Sequence, residues 1–126
     1  MKGVLVDTSV WVEHFRHSND TLMGLLELDL AMTHPLIVGE IACGTPPNRL
    51  QTIANLESLH LTQQASMREA MAFIEREHLF GLGCGLVDLL LLASALVTTG
   101  VVLWTLDRRL FALAKRFGVA HQPAMH

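Results

Sequence analysis

The chain has 126 residues, 51% of them apolar and 17% charged, with a formal net charge of -3. That balance excludes a disordered chain and a strongly basic nucleic-acid coat, and the length fits a single domain over residues 1–126 with a substantial core. It leaves room for nucleic-acid chemistry at an acidic, metal-carrying site rimmed by a few basic side chains.

The opening run Gly3-Val4-Leu5-Val6-Asp7 predicts a buried strand over about residues 2–7 that delivers a carboxylate to its C-terminal end. Thr8 or Ser9 then caps a short helix over Val10 to Arg16, and Asn19 or Asp20 caps a second with Leu22, Leu25 and Leu26 on its apolar side. Leu30 to Thr33 reads as a brief strand. Pro35 fits the first turn of a third helix ending at Cys43-Gly44, and Pro46-Pro47 opens a fourth to about Glu57. Ser58 to Thr62 is a short strand.

Gln63 to about His78 predicts a long amphipathic helix with Met67, Ala70, Met71, Ile74 and His78 on its apolar face. The glycine-rich turn Gly81 to Gly85 leads into an apolar helix from Leu86 to Val97. A strand begins at Val101 and closes on Thr105-Leu106-Asp107. Asp107 caps the last helix, which carries Leu110, Phe111, Ala114 and Phe117 on one side and stops at Gly118. Strands alternating with helices imply an α/β fold with a parallel sheet and right-handed crossovers, so the two strand-end acids share one edge if their strands are neighbours.

The apolar run Leu86 to Leu106 is interrupted by Asp88 and by Thr98-Thr99-Gly100, which favours a buried helix and strand over a membrane span. One lysine and then only four residues precede Asp7, too short a run for the apolar core of a leader, so a cytoplasmic protein is expected. Cys43 and Cys84 are too few and too far apart for a disulfide framework or a zinc knuckle, and both read as reduced packing residues. Trp11 and Trp104 read as core or subunit-contact residues. His14 and His17 share a helix face without a third ligand for zinc.

Four carboxylates, Asp7, Glu40, Asp88 and Asp107, sit where an acid is either awkward or well placed. Each has a plain structural reading: Asp88 and Asp107 as helix N-terminal caps, Asp7 as the start of an Asx turn, Glu40 as the solvated stripe of an apolar helix. Together they need a counter-charge, because burying several unpaired carboxylates costs several kcal/mol each. No lysine adjoins any of them in sequence. A hard divalent cation, Mg²⁺ or alternatively Mn²⁺, suits oxygen ligands, binds phosphoryl oxygens and lowers the pKa of a coordinated water.

The segments Val6-Asp7-Thr8-Ser9-Val10-Trp11, Val38-Gly39-Glu40-Ile41-Ala42-Cys43-Gly44, Gly85-Leu86-Val87-Asp88 with Leu92-Ala93-Ser94-Ala95, and Leu103-Trp104-Thr105-Leu106-Asp107 occur in this order across nearly the whole chain. In this the sequence resembles the PIN-domain ribonucleases, and among them the VapC toxins of type II toxin–antitoxin pairs. The resemblance implies a three-layer α/β/α sandwich with a mostly parallel sheet of about five strands. It also implies Mg²⁺-dependent endoribonuclease activity leaving 5′-phosphate and 3′-hydroxyl ends. Asp7 and Asp88 then look like the principal metal ligands, with Glu40 and Asp107 completing the catalytic acids and Thr8, Ser9 and Thr105 orienting them. Expected partners are structured RNA such as tRNA or ribosomal RNA, a cognate antitoxin protein and a second copy in a homodimer, with no membrane.

One departure concerns Asp107. Many relatives carry a further acid shortly after that position, whereas Arg108 and Arg109 follow here, which favours one tightly held ion over a full two-metal site. Those arginines either contact RNA phosphate or form an exposed helix face with Lys115 and Arg116, and the sequence assigns no RNA-binding residue. Two other functions fit less well. One is a PIN-fold binding module without catalysis. The other is an aspartyl-phosphate enzyme using Asp7, although Ser9 stands where such enzymes carry a second acid.

Overall fold

The computed structural model describes residues 2–123. Strand β1 (Gly3–Val6) is buried along its whole length, as its unbroken apolar run requires of a strand covered on both faces. β2 (Ala31–Thr33) and then β3 (His60–Leu61) lie to one side of it and β4 (Val101–Trp104) lies on the other, giving the order β3-β2-β1-β4 with every pair parallel. Each residue of β1 is matched in β4, from Gly3 opposite Val101 to Val6 opposite Trp104.

Helices α1 (Thr8–Arg16) and α2 (Asp20–Glu27) connect β1 to β2, and α3 (Pro35–Ala42) and α4 (Arg49–Glu57) connect β2 to β3. α5 (Met67–Glu77) and α6 (Leu86–Val97) return the chain across the sheet to β4, which is followed by α7 (Arg108–Arg116). Right-handed crossovers running outward from β1 put α1 to α4 on one face, and the reversal to β4 puts α5 to α7 on the other. The result is the expected α/β/α sandwich. Among the described residues the sheet holds four strands rather than about five: beyond β4, a single parallel bridge joins Leu103 to Ala120, with the Leu103 N–H donating to Val119 O at 2.6 Å and the His121 N–H to Leu103 O at 2.9 Å.

α6 shows no helical apolar stripe because it is covered on nearly all sides: Leu89 through Ala95 are buried without interruption. Among the described residues, no helix is long and apolar enough to cross a membrane. Trp11 and Trp104 both lie in the core, whereas Cys43 is exposed rather than packed.

Several boundaries differ from the sequence expectation for identifiable reasons. α1 begins at Thr8, because Asp7 rather than Thr8 or Ser9 is its cap. α5 begins at Met67 instead of Gln63. The Gln63 N–H is bound by Thr98 Oγ1 at 3.0 Å and the Ala65 N–H by Ser94 Oγ at 3.1 Å, so this stretch is tied along α6 until a Ser66–Glu69 capping box starts the helix. Its buried face is Ala70 and Phe73, and Met67 and Met71 are exposed. α4 begins at Arg49, after Asn48 takes a left-handed conformation, rather than at the prolines.

His34 ties the two helical layers together through the sheet. Its Nδ1 accepts the Leu36 N–H at 3.0 Å, capping α3, so Nε2 carries the proton and donates to Ser94 Oγ on α6 at 3.2 Å. Burial lowers the His34 pKa below its ordinary value. A depressed histidine stabilises the fold fully above its unfolded pKa of about 6.5, and this contribution is lost as pH falls through the folded value. Thermal unfolding followed from pH 8 to pH 5 is therefore expected to show a falling Tm below about 6.5, with a shallower fall in His34→Asn. His121, also depressed by burial, sustains the remainder. In the core, Leu91→Ala is expected to cost about 2–5 kcal/mol in urea unfolding, since Leu91 is fully buried.

Candidate active site

A parallel sheet exposes its ligand-binding crevice at the C-terminal strand ends, at the point where successive connections depart in opposite directions. Here that point lies between β1 and β4, and Asp7 and Thr105 are the residues immediately beyond those strands. The Asp7 N–H donates to Trp104 O at 2.9 Å, which extends the β1–β4 pairing by one step and fixes the two residues side by side.

The Asp7 side chain is buried and strongly oriented. Its Oδ2 accepts the Ser9 hydroxyl at 2.7 Å, the Thr105 hydroxyl at 2.8 Å and, at longer range, the Ser9 N–H at 3.4 Å. The hydroxyls are themselves held, Ser9 Oγ by the Leu106 N–H at 3.0 Å and Thr105 Oγ1 by the Asp107 N–H at 3.1 Å. All recorded contacts fall on one oxygen. Oδ1 accepts no hydrogen bond from the described residues and is not sealed from solvent, so half of the carboxylate is available to a cation.

Thr8 orients Glu40 and not the adjacent Asp7. Its hydroxyl donates to Glu40 Oε1 at 2.7 Å, joining the start of α1 to the exposed face of α3. Asp107 caps α7, with Oδ1 accepting the N–H groups of Arg109 and Leu110, each at 2.9 Å. Asp88 stands in the first turn of α6, where the cap position is Gly85 and offers no side chain. Burial pushes the Asp88 carboxyl above its ordinary range, and the negative charges of Asp7, Asp107 and Glu40 push it further, against a favourable contact with the Gly85 backbone N–H.

The four acids expected from the sequence therefore share one electrostatic environment. They do not form a tight cage: among the described residues, no three acidic, histidine or cysteine side chains stand close enough together to enclose an ion. The donor set of carboxylate and hydroxyl oxygens, with a free oxygen on Asp7, fits a hard cation that retains water ligands and uses one or two carboxylates.

One neighbour of the site, Cys84, reads from the sequence only as a packing residue, and one, Arg109, stands there between two roles. The Cys84 thiol is raised in pKa by burial and by Asp88 and Asp107, with Arg109 acting in the opposite direction, so both Cys84 and Arg109 stand beside the acids. The signal for Cys84 is its place inside the glycine-rich turn, and that for Arg109 its place two residues after Asp107.

A family model of the PIN domain matches residues 4–116, which includes all four acids. The chain belongs to the PIN-domain family. It is 39% identical over 117 residues to Ribonuclease VapC32 of Mycobacterium tuberculosis, in strain CDC 1551 / Oshkosh and likewise in strain ATCC 25618 / H37Rv, covering 93% of this chain and 94% of each relative. The resemblance to VapC proteins read from its motifs is thereby borne out.

The PIN-domain geometry separates the acids energetically. A carboxyl whose folded pKa is raised contributes stability that is present at low pH and lost as pH rises through the folded value, so ionised Asp88 is a source of strain at neutral pH without metal. Asp88→Asn is therefore expected to raise Tm at pH 7 in chelator and to flatten its decline with pH. Thr105→Val, by contrast, removes a hydrogen bond to a buried carboxylate and is expected to cost about 1.5–3 kcal/mol under the same conditions.

Proposed function

We propose that this protein, acting as one domain over residues 1–126, is a divalent-metal-dependent endoribonuclease and the toxin of a toxin–antitoxin pair. The observation that carries the reading is the Asp7 carboxylate at the β1–β4 crevice, with one oxygen fixed by two hydroxyls and the other free, beside an Asp88 whose charge is opposed by three further acids. The family membership and the identity to a protein named Ribonuclease VapC32 support the same activity.

In this reading Asp7 and Asp88 hold the cation, and Glu40 and Asp107 complete the acidic pocket. Mg²⁺ suits the site, with Mn²⁺ an alternative, because it keeps several waters and needs few carboxylates. The bound ion supplies Lewis acidity toward the phosphate and a water of lowered pKa, the requirements of phosphodiester hydrolysis. Ser9 and Thr105 keep the Asp7 carboxylate from rotating, and Thr8 holds Glu40 toward the site. Asp107 spends one oxygen on α7 and leaves the other for solvent or substrate.

The substrate is structured RNA, such as tRNA or a ribosomal loop, and the compartment is the cytoplasm. A cleft of about 400 Å³ that Glu40 borders, lined also by Thr8, Val12, Phe15, Ile41 and Pro46, has an apolar floor suited to a segment of an antitoxin. The exposed Leu28, Leu50 and Phe80 leave apolar surface for a homodimer.

The test is incubation of antitoxin-free protein with end-labelled total tRNA, and in parallel with ribosomal RNA, in Mg²⁺ and in chelator. The parent is expected to give discrete cuts with 5′-phosphate ends only in metal, and Asp7→Asn to reduce cleavage by at least about 100-fold. Both RNAs left intact by the parent in Mg²⁺, and in a parallel incubation with Mn²⁺, would overturn the nuclease reading. Mg²⁺ at about 100 times its Kd is expected to stabilise the parent by about 2.7 kcal/mol and Asp88→Asn by far less, which titration calorimetry and thermal shift will measure.

A further inference from the structure

Arg109 occupies the second position of α7, and its backbone N–H is already committed to the Asp107 cap. Its side chain turns back over the glycine-rich turn. A methyl group built on Gly83 would lie 2.6 Å from Arg109 Cδ, 2.7 Å from Nη1 and 2.8 Å from Nε, so the side chain rests directly on the glycine backbone. Gly83 is also left-handed, at φ +88°, and any other residue there would be strained as well as in the way.

The guanidinium is braced yet uncommitted. Arg76 and Arg116 pair with Glu77, and Arg49 donates to the carbonyls of Ala42 and Gly44. Among the described residues, Arg109 has no carboxylate within 4.0 Å and no acceptor for its side-chain N–H groups. Its helix starts from the Asp107 cap, and Gly83 stands two residues before Gly85, the cap of the helix with Asp88 in its first turn, which puts the free fork at the border of the carboxylate cluster. A planar fork with several unused donors is matched to the paired oxygens of a phosphate. A cluster of four acids, conversely, repels the RNA backbone wherever a cation does not cover it.

We propose that Arg109, braced on Gly83, grips a backbone phosphate of the RNA at the edge of the acidic pocket and so positions the strand for cleavage. The inference rests on the nuclease reading above and adds a residue to it. Arg109 acts on the position of the substrate and needs no contact with the scissile bond.

The test compares the parent with Arg109→Gln, Arg109→Lys and Arg68→Gln, the last removing an exposed charge from α5. Cleavage of total tRNA in Mg²⁺ gives apparent KM and kcat, and tRNA binding is measured against salt with each change placed in an Asp7→Asn background. Arg109→Gln is expected to raise KM about tenfold with kcat within about threefold, and to reduce the slope of log affinity against log salt by about 0.7, the loss of one phosphate contact. Arg109→Lys is expected to restore the slope and only part of the KM, because it returns the charge without the fork. Arg68→Gln is expected to leave both near the parent values. Unchanged KM and slope in Arg109→Gln, or equal changes in Arg68→Gln, would overturn the inference while the parent still cuts RNA. A parent that cuts no RNA would overturn both readings.

Discussion

The pairing of β1 with β4 is the constraint on which the rest of the structure depends. Because Val6 stands opposite Trp104 and the Asp7 N–H reaches Trp104 O, the chain emerges from both strands at the same level. A slip of one residue would turn every side chain of the strand to the other face. Asp7 would then lose the Thr105 hydroxyl, and Ser9 Oγ the Leu106 N–H that holds it, leaving Asp7 only the local contacts of Ser9, two residues along the same chain. The apolar run of β1 gives that register its stability, because Val4, Leu5 and Val6 are fully buried and each contributes about 1.5–3 kcal/mol by burial. The hydrophobic core and the acidic site are therefore two consequences of one alignment.

Capping and cation binding need not compete at these acids. Asp107 caps α7 through Oδ1 alone, and Asp7 directs all its recorded contacts through Oδ2. A carboxylate that spends one oxygen on its own backbone or on neighbouring hydroxyls is oriented by that bond and still presents the other. The plain structural readings of Asp7 and Asp107 are thus correct as far as they go, and they describe how the fold aims each group. Asp88 differs because its helix has a glycine at the cap and the acid is left to face three like charges.

Much of this arrangement was legible in the sequence because it depends on local pattern. Asp7 follows from an apolar run that stops at a carboxylate, whereas the late strand stops at Trp104 and Asp107 comes three residues later as the α7 cap. The bounds of α6 follow from glycine before it and threonine-glycine after it. What was not legible depends on contacts between distant residues. The stretch from Gln63 has helical periodicity, but hydroxyls of Ser94 and Thr98 bind its N–H groups and hold it extended until Ser66. Thr8 was expected to orient one of the acids, but which one was not legible: its partner is Glu40, 32 residues away. The missing fifth strand is a question of edge pairing: Val119 to His121 meets β4 at Leu103 alone, and one bridge leaves no pattern in the sequence.

The N-terminus of α7 shows how the two kinds of information combine. A helix selected for stability alone places acids in its first turn and bases in its last, and Lys115 and Arg116 obey that rule at the C-terminal end. Arg108 and Arg109 break it, each at a cost of about 0.3–1 kcal/mol against the helix dipole. The Asp107 cap, worth about 1 kcal/mol, offsets part of that cost and makes the two arginines tolerable. Local rules are broken most readily where another demand is served. Here the misplaced charge lies on a left-handed glycine, next to acids that repel what a basic group would attract. The same few residues thus set the boundary between the negative pocket and the positive rim: Asp107 starts the helix, Arg109 leaves it, and Gly83 gives Arg109 a surface on which to rest.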